Sequence, residues 1–441
     1  MPGVDWAGSR RRCPRNRRIN SPALPVAPSV LLIADALTVL TSILALAWLW
    51  QAVAALRGVP TLPDLTRLEP FRTDLEQING TASSSSTPDA PDLTVIVPAC
   101  NEEDSIEATL RSLLASTGVR LQIVAIDDRS TDRTGDRMNA IASEAAAGGR
   151  RHELQVIHNR ELPAGWLGKT HAMALGAERA KAPWLLFTDG DVTFDPRAAA
   201  LALAYARSER ADHVVLVFTL EFKSIAEAAV LAAFHALASW NVRLWKVADR
   251  RARDFFGAGG FNLVRREVYD NLGGFASLRM EVLEDLRLGW KVKRSGYAQR
   301  VVLGPGLVRI RWIEGALGIV GLLEKNGFAL SRYRITVCLV ALFSFAVQIV
   351  LPLAAIASLS WAMLPGLLTY TFIGLAYYAN RRITRVSPWL AVAFAPATAI
   401  LLYAVARSMV LALMRGGVLW RGTLYPLEEL RRNAGRGWGA R

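Results

Sequence analysis

Apolar positions along this chain fall into two kinds of run. Long runs stand towards the ends. Val30–Leu56 carries Asp35 as its only charge and is long enough to cross a bilayer core of ~30 Å. Beyond Arg334, Ile335–Ser358 and Ser360–Ala379 are of similar length, Arg381, Arg382 and Arg385 follow, and Pro388–Ala406 is a third run. Met409–Trp420, interrupted by Arg415, reads as interfacial. Between these ends the runs are short. Leu93–Val97, Leu121–Ile126, Leu154–Ile157 and Trp184–Phe187 read as strands; Ile106–Ser116, Arg133–Ala147 and Thr170–Lys181 read as helices between them. Ile225–Val247 reads as one longer helix, lying at a membrane surface or facing a core. Alternation of this kind predicts an α/β domain with a parallel, doubly wound sheet, flanked by transmembrane helices.

At 441 residues more than one structural region is expected. The pattern divides the chain into an Arg/Pro-rich tail (1–28), a transmembrane helix (29–57), a linker (58–91), the α/β domain (92–330), about three further transmembrane helices (331–415) and a basic tail (416–441). The linker ends in the Ser-rich stretch Asn79–Asp92, where Asn79-Gly80-Thr81 forms a glycosylation triplet. Lys and Arg number 52 against 38 Asp and Glu, a net charge of +14. Much of that excess is Arg beside the apolar runs, a placement that suits anionic lipid headgroups. A membrane partner is therefore expected and a nucleic-acid partner is not. Cys13, Cys100 and Cys338 form neither a disulfide framework nor a CxxC pair. The five histidines show no zinc spacing.

Two aspartate clusters follow apolar runs. Asp127-Asp128-Arg129-Ser130-Thr131-Asp132 follows Leu121–Ile126, and Asp189-Gly190-Asp191 follows Trp184–Phe187. Carboxylates at the carboxyl ends of parallel strands lie where open α/β sheets bind ligands. Two aspartates one residue apart suit a hard divalent cation, Mg or Mn, that bridges phosphates. Asp127, Ser130 and Asp132 equally suit capping of the next helix. Gly168-Lys169-Thr170 has the end of a phosphate loop, but Pro163 stands where its first glycine belongs. Lys169 at a helix start either meets a phosphate or sugar, or is simply solvated. Gly257-Ala258-Gly259-Gly260 permits close backbone approach by a ligand, or is no more than a tight turn.

Thr94-Val95-Ile96-Val97-Pro98-Ala99-Cys100-Asn101-Glu102-Glu103 is a strand, a turn and the acidic start of a helix. With the two Asp clusters and Glu284-Asp285 in order, the region 92–330 resembles the family 2 glycosyltransferases of the GT-A fold. The stretch Leu162-Pro163-Ala164-Gly165-Trp166-Leu167-Gly168-Lys169-Thr170-His171-Ala172 is similar to the membrane-anchored branch that includes hopanoid-associated and carotenoid enzymes. The resemblance implies that Pro98, Ala99 and Asn101 line base and ribose and that Asp128 accepts from the base. Glu102, Asp127, Lys169, Asp189, Gly259 and Arg311 complete the candidate donor-binding set. Asp191, supported by Asp189, is the implied metal ligand. Asp285 is the implied catalytic base, with Glu284 orienting it or contacting the acceptor. Hopanoid-associated relatives tend to carry Asp-Asp at this place, and Glu284 departs from that.

Arg309-Ile310-Arg311-Trp312 stands where processive polysaccharide synthases place Gln-x-x-Arg-Trp, but Val308 replaces the glutamine. The expectation is therefore inverting transfer of one sugar from a nucleotide-diphosphate sugar, with a UDP-linked donor favoured, to a lipid or isoprenoid-like hydroxyl acceptor. The alternatives are a processive synthase and a non-catalytic scaffold with a GT-A shell. A multi-pass protein of the cell membrane with a cytoplasmic catalytic domain follows from the donor. One span before that domain and three after it leave both Arg-rich tails outside, against the positive-inside rule. The sequence thus calls for either a re-entrant segment or a start site later than Met1.

Overall fold

The computed structural model describes residues 28–67, 90–148 and 151–434. The Arg/Pro-rich tail and the triplet Asn79-Gly80-Thr81 lie outside the described residues, as does most of the Ser-rich stretch.

Nine strands lead through the α/β region: β1 (Leu93–Ala99), β2 (Leu121–Asp128), β3 (Glu153–Asn159), β4 (Trp184–Phe187), β5 (Val192–Phe194), β6 (His213–Val217), β7 (Thr219–Leu220), β8 (Asn262–Arg265) and β9 (Gln299–Leu303). Another, β10 (Val308–Ile310), follows, and β11 (Gly417–Trp420) and β12 (Thr423–Pro426) form a C-terminal hairpin. The helices between them are α1 (Pro28–Gly58), α2 (Ile106–Leu114), α3 (Thr134–Ala147), α4 (Gly168–Glu178), α5 (Ala198–Ser208), α6 (Ile225–Ala238), α7 (Arg266–Asn271) and α8 (Glu284–Arg294). Then come α9 (Gly318–Leu330), α10 (Ile335–Ala357), α11 (Met363–Ala379), the short α12 (Arg381–Thr384), α13 (Phe394–Met414) and α14 (Leu427–Ala434).

The main sheet runs β3-β2-β1-β4-β8-β6-β9. β1 and β2 are buried along their whole lengths, which is why they read as unbroken apolar runs. Alternate side chains still choose faces. Val95 and Val97 pack in one core with Leu110 and Leu203, while Ile96 and Val124 pack in another with Met173 and Leu288. The sheet is mixed, where the sequence pattern predicts a parallel one: β8 runs antiparallel to both β4 and β6. β5, β10 and β7 form a second small sheet beside the end of β4.

Because β1 lies between β2 and β4, the chain ends of β2, β1 and β4 stand side by side. This is the switch point at which the order of strands reverses, the place where open α/β sheets bind ligands.

Two other expectations change. The helix predicted over Ile225–Val247 stops at Ala238. Asp254 takes the Arg243 backbone N–H at 2.9 Å and its guanidinium at 2.8 Å, which holds the chain extended there. The expected basic tail is folded as far as Ala434, and the expected interfacial run Met409–Trp420 is split between α13 and β11. Val418, Tyr425, Leu427 and Leu430 bury against the same core as α6, α9, α11 and α13. That burial fixes a segment whose charge alone suggests solvent.

Among the described residues, Leu32–Thr61, Ile335–Ala357 and Pro388–Met414 are helical stretches long and apolar enough to cross a membrane. The run expected at Ser360–Ala379 forms the 17-residue α11, which packs along α1 and α10.

Candidate active site

The turns after β1 and β2 are knitted to each other. Asn101, with φ of +54°, accepts from the Thr131 N–H at 2.8 Å. The Glu102 N–H donates to Thr134 at 2.8 Å, and Glu103 accepts from the Arg133 N–H at 3.0 Å. Asp127 is buried and holds His158 Nδ1 at 2.8 Å. It also accepts from the Ser130 N–H at 3.3 Å, so Asp127 shapes this wall from beneath. Asp128 lies beside it, gripped by Arg129 at 2.9 Å and by the Asn159 amide at 2.7 Å. Neither Asn159 nor His158 stands out in the sequence. Their signal is positional, since β3 pairs Asp127 with His158 and Asp128 with Asn159.

Lys169 is the centre of a charged cluster. At the first turn of α4 its ammonium lies 2.5 Å from Asp189 Oδ1 and 2.6 Å from Glu284 Oε1. Burial alone would lower its pKa, but Asp189, Glu284 and Asp285 outweigh burial and raise it, so it is a fixed cation. One lysine thereby joins the aspartate after β4 to the acidic start of α8. The reading of Lys169 as a merely solvated side chain does not hold.

Two carboxylates of the cluster have no such partner. Burial raises the Asp285 carboxyl to about 7, helped by Glu284 and opposed by Lys169. Burial likewise raises Asp191 to about 7, with Asp189 and Glu102 adding to it. Negative charge in excess of the available cations suits a divalent ion, and Asp189 and Asp191 offer the hard oxygens such an ion takes. Among the described residues no three His, Cys, Asp or Glu side chains form a metal cage. A cation held by Asp191 and Asp189 therefore needs further oxygens, of the kind a diphosphate provides.

The small residues after Phe256 have a steric purpose. A Cβ on Gly259 would stand 2.5 Å from Asp189 Oδ2, and one on Gly257 would stand 1.9 Å from the Asp285 carbonyl oxygen. The neighbour of Gly257 is backbone and cannot retreat, whereas that of Gly259 could move only by turning the Asp189 carboxylate away from Lys169. Gly257→Ala is expected to cost about 1–3 kcal/mol by overpacking and to depress turnover by displacing the start of α8. Thermal unfolding measured beside turnover checks this; unchanged values in both would refute the contact.

Arg311 is not part of the cluster. It pairs with Glu314 at 2.9 Å and with Glu227 at 3.7 Å, on the small sheet. Side chains that the sequence did not mark stand nearer. Lys325 of α9 feels Glu284, Lys169, Asp189 and Asp285, although burial holds its ammonium down to about 8. Arg421 pairs with Glu102, and the Gly168 N–H donates to the Tyr425 hydroxyl at 3.2 Å. A sequence cue existed for the hairpin: Arg421-Gly422 is a two-residue turn between alternating runs.

Residues 94–287 match the model of the family described as Glycosyl transferase family 2. The match lies within the α/β domain. It is 24% identical over 225 residues to a 4,4'-diaponeurosporenoate glycosyltransferase of Staphylococcus haemolyticus (strain JCSC1435), covering 50% of this chain and 57% of that protein. A protein of the same name from Staphylococcus aureus (strain MRSA252) is 26% identical over 207 residues, or 45% of this chain and 50% of the relative. The chain thus spans about half the length of the curated relatives it matches. In fold, the chain is similar to a solved mannosyltransferase from Pyrobaculum calidifontis in complex with GDP-Man and Mn2+. That likeness has a TM-score of 0.50 at 17% identity and covers 86% of this chain and 99% of that one.

Proposed function

We propose that the protein transfers one sugar, with inversion, from a nucleotide-diphosphate sugar to the hydroxyl of a lipid-like acceptor at a membrane. The observation that carries this reading is the convergence of Asp189, Lys169, Glu284 and Asp285 at the switch point, with Asp191 beside them. Pro98, Ala99, Asn101 and Asp128 form the wall for base and ribose. Asp285 takes the proton of the acceptor hydroxyl as its oxygen attacks the anomeric carbon. Lys169 holds Asp189 and Glu284 in place and keeps a positive charge next to the leaving group. A divalent cation held by Asp191 and Asp189 would supply charge neutralisation to the departing diphosphate. The relatives named for a carotenoid substrate support a lipid-like acceptor, as do the apolar helices beside the domain.

The arrangement in the membrane follows the same reading. α1 crosses, α10 and α11 form a crossing pair, and α13 lies along the membrane surface. Arg407 of α13 and Arg415 at its end both pair with Glu324 of α9, which opposes burying α13 in hydrocarbon. Its far end continues into the hairpin that reaches Gly168 and Glu102. The C-terminal segment then shares the cytoplasmic side with the catalytic domain, as the positive-inside rule asks. In a background without native cysteines, a cysteine at Trp361 is expected to react with impermeant thiol reagents in intact cells, and one at Leu419 to resist them. Labelling of Leu419→Cys from outside would defeat this topology.

The function is tested by incubating purified protein in lipid with a panel of nucleotide sugars and reading the lipid extract by mass spectrometry. A product one sugar heavier than a lipid of the extract is expected. A ladder of polymer products would overturn single transfer.

A further inference from the structure

The hairpin of β11 and β12 sends three side chains to three parts of the site. Tyr425 meets the Gly168 N–H at the start of α4, one residue before Lys169. Trp420 offers its ring to the Lys325 ammonium at 4.5 Å. Arg421, with φ of +47° beside Gly422 at +78°, stands at the tip and pairs with Glu102. Glu102 is itself within electrostatic reach of Asp191. The hairpin therefore spans the crevice from the Lys169 side to the Asp191 side.

The charges nearby are mostly committed. Lys169 is held by two carboxylates, Arg129 by Asp128 and Arg311 by Glu314 and Glu227. Arg421 is held by Glu102 in a pair open to solvent on the guanidinium side: its side chain is 39% exposed and that of Glu102 21%, so solvent screens part of the attraction. A diphosphate offers the guanidinium two charge-assisted, bidentate contacts in place of one partly screened pair. A two-stranded ribbon has little stability of its own, so its tip can follow the better partner while Val418, Tyr425 and Leu427 keep its base in the core.

We propose that this hairpin is the diphosphate clamp of the donor site, in which Arg421 exchanges Glu102 for the phosphate oxygens of the bound nucleotide. The clamp supplies, from the C-terminal segment, a cation for the departing diphosphate. Arg421 is thereby a binding residue for the donor, and Glu102 is its resting partner. The inference rests on the nucleotide-sugar reading above.

Binding of UDP and of GDP, each with Mn2+, to the full-length protein in lipid nanodiscs tests it, with UMP and GMP as controls. Whichever diphosphate binds the unaltered protein is expected to bind R421Q about tenfold more weakly, the size of one lost charge-assisted phosphate contact. R421K is expected to lie between the two. The matching monophosphate is expected to change by less than about twofold, since most of the clamp's phosphate contact is absent from it. E102Q is expected to tighten diphosphate binding by about threefold, by removing the competing carboxylate. That gain should vanish in E102Q/R421Q, since the two residues act through one contact. Equal losses for diphosphate and monophosphate would overturn the clamp in favour of an effect on the fold. Unchanged diphosphate binding by both R421Q and R421K would overturn it as well, and leave the nucleotide-sugar reading standing. If the unaltered protein binds neither UDP nor GDP, that reading falls and the clamp with it.

Discussion

Asp285→Asn is expected to lower kcat by about 10²–10⁴-fold, the usual contribution of a general base, while nucleotide-sugar affinity stays within a few-fold. The choice between the adjacent carboxylates rests on their partners. Glu284 is tied to Lys169 at 2.6 Å, and a carboxylate so held is a poor proton acceptor. Asp285, at the same helix start, has no such tie, and burial with Glu284 beside it raises its carboxyl to about 7. A base of that strength takes a hydroxyl proton more readily than an ordinary aspartate does, yet is still partly ionised near neutrality. The amide keeps the shape and cannot take the proton, so loss confined to kcat marks the chemical step. The sign of the pH dependence follows. The working form is the ionised one, so the rate should fall as pH drops below about 7. The residual rate of Asp285→Asn should lack that limb. Equal loss of binding and turnover would instead make Asp285 a structural residue at the start of α8.

The parts of this architecture that sequence reveals are those in which local pattern and burial agree. β1, β2 and β4 are buried strands, so their sequences are apolar runs, and the crevice at their ends needs polar atoms, so Asp127 and Asp189 break those runs. Direction is a different matter. Asn262–Arg265 is short, and nothing in its residues states that β8 runs against β4 and β6. Lys169 is visible as a cation at a helix start, but its place between Asp189 and Glu284 depends on how α4 and α8 meet across the sheet. The hairpin was hidden by composition. Arg421, Arg431 and Arg432 make the segment look solvated, whereas the apolar positions between them, Val418, Tyr425, Leu427 and Leu430, are those that bury. Arg311 shows the converse, a residue marked by its motif whose ion-pair partners lie elsewhere. Its neighbour Trp312 meets Phe234 edge to face with ring centroids 5.2 Å apart, and Glu227 of the same helix α6 draws the guanidinium away from the cluster.

Removing divalent cations is expected to lower turnover by about 10²-fold or more, the scale of electrostatic stabilisation at a leaving group. Asp191→Ala is expected to reproduce that loss and to make the residual rate insensitive to added Mg2+ or Mn2+. The argument starts from charge. Asp189, Asp191, Glu284, Asp285 and Glu102 gather around the crevice, and Lys169 answers only two of them at contact distance. Asp191 carries the consequence: burial, Asp189 and Glu102 together raise it to about 7. At neutral pH such a group is partly protonated, and a bound cation would return it to the ionised form by supplying the missing opposite charge. A bound diphosphate brings more negative charge to the same place, so donor and cation should strengthen each other's binding. The check is calorimetric titration of UDP and of GDP with and without Mn2+, on the unaltered protein and on Asp191→Ala. Metal-dependent affinity in the first and its absence in the second is the expected pair. Asp189→Ala should be the less specific variant, because it also releases Lys169 from one of its two carboxylates. Full turnover in excess EDTA would sink the metal requirement.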